Sequence, residues 1–190
     1  MGTASTMIID EQAPESAGSP PRILIAGLGN ELLGDDGVGV HACRLLAPRI
    51  ESLGRDDLIV VEIGTAVCDA LHLLEWADHV LGIDAMQADG PPGSIYLCEP
   101  RDLEADGRVS LHQLSLLGAL ELLELEHAPP AADGAGLAPS SGWHRPRVEI
   151  LGVEPASLAL GIGLSPAVDA ALPRVVEHAW QLVHGWLRST

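Results

Sequence analysis

Phenylalanine is absent from this 190-residue chain, and all aromatics together make up 3% of it. A core must therefore be assembled from Leu, Val, Ile and Ala, which the hydrophobic fraction of 47% supplies. Positive charge is scarce as well: 10 Lys and Arg stand against 27 Asp and Glu, a formal net charge of −17. Phosphate backbones need a basic surface, so this balance argues against nucleic acid, and equally against anionic membranes. A basic protein or peptide segment is the easier partner. The three cysteines, Cys43, Cys68 and Cys98, form no CxxC. They make no disulfide framework and are read as small buried residues in a reducing compartment. No apolar run approaches the ~18 residues of a spanning helix, and no charged-then-apolar signal opens the chain. Met1-Gly2 with Thr6 fits a myristoylation pattern, a short motif read here as chance. The expected location is the cytoplasm.

What is present is organised. Residues 1–20 are rich in Ser, Pro, Ala, Gly and Glu, and are expected to be a disordered leader. A similar stretch at about 127–146 is expected to be a flexible surface insertion. The remainder, 21–190, reads as one domain. Short apolar runs at 22–26, 58–63, 79–83, 94–98 and 148–153 predict five strands of a parallel or mixed sheet buried on both faces. Helical patterns cover 36–47, 67–76, 111–125 and 166–187. In the last, Val168, Ala171, Leu172, Val175, Val176, Ala179, Leu182, Val183 and Trp186 form one apolar stripe behind a Ser165-Pro166 start. Alternating strands and helices predict a three-layer α/β/α fold with a mainly parallel, twisted sheet of about five strands.

Open α/β sheets bind ligands beyond the C-terminal strand ends. The first strand leads into Gly27-Leu28-Gly29-Asn30-Glu31-Leu32-Leu33-Gly34-Asp35-Asp36-Gly37-Val38-Gly39. A dinucleotide loop needs G-x-G-x-x-G, and its third glycine is replaced by Leu32, although Glu62 ends the second strand as a ribose-binding acid would. Asp35 and Asp36 read either as helix caps or as functional acids. Asp84 closes the third strand, where a carboxylate is expensive to bury unless paired or ligating, or else serves a turn. His112 lies in a predicted capping box, Ser110-Leu111-His112-Gln113, which places it exposed in a first helical turn. Asp36, Asp84 and His112 together offer two carboxylates and an imidazole, a donor set suited to a borderline divalent ion such as nickel or zinc. Their spacing alone is too wide to be a metal motif.

The pattern Gly27-x-Gly29-Asn30-x-Leu32-x-x-Asp35-Asp36-Gly37-x-Gly39 resembles the N-terminal signature of hydrogenase maturation proteases. Gly64-Thr65, Ile83-Asp84-Ala85, Gly93-Ser94, Leu111-His112-Gln113-Leu114, Gly152-Val153-Glu154-Pro155 and Gly163-Leu164-Ser165-Pro166-Ala167-Val168 continue the resemblance in order, across roughly 22–187. Some members of that family carry Glu where this chain has Asp36. The resemblance implies an aspartic-type endopeptidase that removes a C-terminal peptide from a [NiFe]-hydrogenase large-subunit precursor. It implies that Asp36, Asp84 and His112 are the catalytic and metal-binding residues, and that the nickel arrives with the precursor. Zinc or another divalent ion is an alternative occupant. Water activation is left open between the metal, Asp36 and Asp84. A non-catalytic nickel-binding assembly chaperone of the same fold is the alternative function, and a monomer is the expected state.

Overall fold

The computed structural model describes residues 20–99, 111–128 and 143–188. The expected leader lies outside them except for its last position, and so does the expected insertion except for its ends. Those ends meet: the rings of His127 and Trp143 stack with centroids 4.7 Å apart, and Trp143 packs against the core. Ser110, the predicted cap, is also outside the described residues.

The strands are β1 (Ile23–Leu28), β2 (Leu58–Gly64), β3 (His79–Ala85), β4 (Ile95–Cys98) and β5 (Arg147–Val153). They form one sheet in the order β2-β1-β3-β5-β4, parallel throughout except for β4, which runs antiparallel to β5. The helices are α1 (Val38–Glu51), α2 (Leu71–Trp76), α3 (Leu111–His127) and α4 (Pro166–Arg188). Short 3-10 turns at Gly34–Gly37 and Val67–Ala70 lead into α1 and α2. The architecture is the expected α/β/α sandwich. Among the described residues no helix is long and apolar enough to cross a membrane.

Side chains alternate along the strands and so build two cores. Ile23 and Ile25 of β1 with Leu81 and Ile83 of β3 pack beneath α1 and α4. Leu24, Ala26 and Leu28 of β1 with Val80 of β3 pack against α2 and α3. This two-sided burial explains why β1 and β3 read as continuous apolar runs. The apolar stripe of α4 faces the first core as predicted, with Val176 and Leu182 at its partly buried margin. The Ser165 hydroxyl accepts a hydrogen bond from the Val168 N–H at 3.4 Å, the cap that its position predicts.

The cysteines divide, contrary to a uniformly buried reading. Cys43 is in the core, where burial first, and then Glu62, pushes its thiol up to about 12. Cys98 is half-buried on β4, the edge strand of the sheet among the described residues, and Cys68 is exposed in the turn before α2.

One contact sets the geometry of the sheet's C-terminal rim. A Cβ on Gly39 would lie 2.0 Å from the Ile83 carbonyl oxygen and 2.4 Å from that of Leu28. A Cβ on Gly27 would lie 2.5 Å from the Gly39 carbonyl oxygen. Helix α1 thus starts directly on the ends of β1 and β3, closer than any side chain permits. Gly39→Ala is therefore expected to cost more than about 3 kcal/mol, because backbone rather than a flexible side chain must give way. Gly118→Ala is the control: the site is in α3, its Cβ would meet nothing within 4 Å, and it should stabilise by about 0.5–1 kcal/mol. Urea melts of the two variants check this, and equal midpoints would refute it.

Candidate metal-binding site

From β1 the chain crosses to β2 on one side and later to β3 on the other, so the topological switch falls between β1 and β3. The candidate residues gather at that point. Asp36 follows β1, Asp84 is the sixth residue of β3, and His112 is in the first turn of α3. The His112 Nε2 is 3.8 Å from the Asp36 Oδ2, and its Nδ1 is 3.6 Å from the Asp84 Oδ1. One donor atom from each residue lies within 4.8 Å of the others. Ligands about 2.1 Å from a shared ion sit up to ~4.2 Å apart, so small side-chain movements would close the set around a divalent cation.

His112 is not the exposed residue that its helical position suggests. Its side chain is 16% exposed, against 10% for Asp36 and none for Asp84. The imidazole lies between two nearly buried carboxylates. Its pKa is raised, first by the Asp84 carboxylate beside its Nδ1 and further by the charge of Asp36, against the pull of burial. Burial raises that of Asp36, with Asp84 adding to it and His112 and the Asn30 N–H opposing it. Charge buried this deeply needs a counter-charge, which a protonated imidazole or a metal would supply.

Local geometry holds each acid in place. The Asp36 Oδ2 accepts the Asn30 N–H at 2.9 Å, and Asn30 itself closes a turn through Oδ1 to the Leu32 N–H at 3.0 Å. The Asp84 Oδ1 accepts the Ala85 N–H at 2.9 Å. Gly29 has φ +113°, and a Cβ there would sit 1.7 Å from the Asp36 carbonyl oxygen and 3.6 Å from the Asp84 Oδ1. The glycines of the first motif are thus filled by the chain's own backbone rather than by a phosphate. Glu62, the would-be ribose acid, is paired with Arg44 at 2.8 Å, as is Glu31. The dinucleotide alternative fails on both counts.

Neither Asp35 nor Asp36 caps a helix, since the caps of the 3-10 turn and of α1 carry no side-chain hydrogen bond. Asp35 has a role that the sequence did not disclose. Its Oδ2 accepts the N–H groups of Ala156 and Ser157 at 2.8 and 3.1 Å, and its Oδ1 accepts that of Ser165 at 2.6 Å. It clamps the whole β5–α4 loop to the turn that carries Asp36. Glu154 acts similarly at the end of β5, where its Oε2 accepts the Ala88 N–H at 2.8 Å and the Tyr96 hydroxyl at 3.1 Å. The sequence signal for both was their place beside Pro155 and Asp36 in motifs.

A cleft of about 390 Å³ opens beside the Asn30 turn and is lined by Gly29, Asn30, Glu31, Leu32, Glu62 and Thr65. A larger cavity of about 620 Å³ lies against β4, β5 and α4, and none of the three residues lines either space. The smaller cleft is the relevant one, because Asn30 joins it to Asp36.

Burial pushes the Asp35 carboxyl up, but the backbone and hydroxyl groups of Ser165 and the N–H groups of Ala156 and Ser157 outweigh it, so its pKa is lowered. A lowered folded pKa stabilises above the unfolded value of about 3.9, and that contribution is lost as pH falls through the folded value. Asp35→Asn should cost about 2–3 kcal/mol at neutral pH, because one amide cannot accept at both ends. It should also flatten the acid limb of the stability curve. Urea melts at pH 7 and pH 3 measure both effects, and a change below about 0.5 kcal/mol at pH 7 would contradict the clamp.

A family model described as hydrogenase maturation protease matches residues 40–182, which include Asp84 and His112. The hydrogenase 2 maturation protease of Escherichia coli K12 is 28% identical over 159 residues, covering 82% of this chain and 87% of that relative. The hydrogenase expression/formation protein HupD of Rhizobium leguminosarum is 27% identical over 179 residues, covering 91% and 80%. Among solved structures, the hydrogenase maturating endopeptidase HybD from E. coli superposes with a TM-score of 0.68 at 26% identity, covering 86% of this chain and 93% of its own. The [NiFe] hydrogenase maturation protease HybD from Thermococcus kodakarensis gives 0.65 at 25% identity, covering 85% and 98%. With the matched model spanning well over half of its length, the chain belongs to the hydrogenase maturation protease family and is a maturation endopeptidase.

Proposed function

We propose that this endopeptidase removes the C-terminal extension of a nickel-loaded [NiFe]-hydrogenase large-subunit precursor, and that Asp36, Asp84 and His112 engage the nickel the precursor carries. The observation that supports this reading is the donor set itself: two nearly buried carboxylates and an imidazole, within 4.8 Å of one another, beside an open cleft. The nickel is part of the substrate. Held by Asp36, Asp84 and His112, it would fix the precursor's C-terminal segment and could polarise the scissile carbonyl. An empty precursor offers nothing for the three residues to bridge, so its peptide bond is not positioned. Zinc would fit the same donors in the free protein.

The side chains divide the work by exposure. Asp84 is fully buried, with its Oδ1 3.6 Å from the His112 Nδ1. Asp36 keeps some exposure, and its raised pKa brings it nearer the range of a working general base. We assign to Asp36 the proton taken from the attacking water and returned to the leaving amine. Cys43 is excluded as a nucleophile, since its buried thiol is pushed up to about 12. We place the protein in the cytoplasm with its substrate. The net charge of −17 opposes self-association and favours a monomer.

The test is mass analysis of purified precursor incubated with the protein. Nickel-loaded precursor should lose its C-terminal peptide and nickel-free precursor should not. Asp84→Asn should fold and cut at least about a hundredfold more slowly, and should bind zinc at least about tenfold more weakly in a calorimetric titration. His112→Ala should abolish cutting and also lower the melting midpoint, because it leaves two buried carboxylates without a counter-charge. Normal cutting by a folded His112→Ala variant would remove the histidine from the mechanism. Binding without any cutting by the wild type would favour the chaperone reading.

A further inference from the structure

The loop between β5 and α4 exposes apolar side chains while being tightly held. Leu160 is 85% and Ile162 90% exposed, and Leu32 of the facing loop is 58% exposed. None of the three packs into either core. Such exposure would be unremarkable on a slack loop, but this one is pinned. A backbone bridge pairs Leu33 with Gly161, through the Gly34 N–H to the Gly161 carbonyl and the Gly161 N–H to the Leu32 carbonyl, both at 2.9 Å. Asp35 adds its three hydrogen bonds at the ends of the same loop. Leu160 and Ile162 flank the bridge on one side and Leu32 adjoins it on the other. The three therefore form a pre-ordered apolar surface, which loses little conformational entropy when covered.

We propose that Leu32, Leu160 and Ile162 are the surface on which an apolar patch of the folded large-subunit precursor docks, beside the cleft that receives its C-terminal segment. The inference rests on the precursor being the substrate. Two observations select this occupant. Leu32 also lines the cleft next to Asp36, so the apolar surface runs directly into the site, and a substrate body delivering a peptide there must lie over it. A second copy of this chain is disfavoured, because it would bring another charge of −17 against the same rim. The arrangement separates two tasks. The metal-binding residues sense nickel, and the loop recognises the precursor's body whether or not it is loaded.

The experiment compares the double variant Leu160→Asp/Ile162→Asp with Leu160→Met/Ile162→Met in cleavage of purified nickel-loaded precursor. Both positions are on the surface, so melting midpoints should match the wild type. If aspartate lowers the midpoint, Leu160→Ser/Ile162→Ser serves instead. The aspartate pair should raise KM at least about tenfold and leave kcat within about twofold, and the methionine pair should behave as wild type. An unchanged KM, with wild-type cleavage intact, would overturn the docking surface and leave the proposed function standing. Failure of the wild type to cut nickel-loaded precursor would overturn both. Light scattering that shows a wild-type dimer, dissociated by the aspartate pair, would assign the surface to self-association and overturn the proposal.

Discussion

The structure depends on one close approach: backbone lying on backbone where α1 meets the ends of β1 and β3. Gly27, Gly29 and Gly39 leave no room for a methyl group there, because the positions of their missing Cβ atoms are taken by carbonyl groups of Asp36, Gly39, Leu28 and Ile83. Remove that constraint and α1 would have to ride further from the sheet. The turn before α1 would then carry Asp36 away from Asp84, and the two acids could no longer share an imidazole.

The same approach explains how two carboxylates stay buried. A strand end and a tight turn each supply backbone N–H groups, from Ala85 to Asp84 and from Asn30 to Asp36, which offset part of the desolvation. They do not neutralise charge. A protonated His112 would, and it comes from a helix on the opposite face of the sheet, so the site is closed only when both layers are in place. A donor set built this way could take either of two occupants, a proton on the imidazole or a metal among all three donors.

Asp35 links the chemistry to the surface. It is adjacent in sequence to Asp36 but points its carboxylate into the β5–α4 loop, holding Ala156, Ser157 and Ser165. One acid of the pair thus organises the rim while its neighbour faces the His112 imidazole. This division accounts for two consecutive buried aspartates where most other acids among the described residues are not buried.

Much of this was legible in the amino-acid order. Two-sided burial of β1 and β3 produces continuous apolar runs, and the one-sided burial of α4 produces a stripe. Periodicity therefore located every described strand and the main helices to within a few residues. Asp84 stood out as an acid closing an apolar strand, and the ordered motifs carried the family resemblance. Other features were decided only by tertiary structure. The sequence position of His112 reads as exposed, because a helix's first turn usually is, yet packing of α3 against the sheet places the ring between two acids. Asp35 reads as a cap, because its partners lie more than 120 residues away. The glycines read as an incomplete dinucleotide loop, because a missing side chain does not name the atom that takes its place. Local pattern determined which segments are strands and helices, since that depends on neighbours in sequence. Which polar groups meet depends on distances across the fold, and those are set by how closely the layers pack.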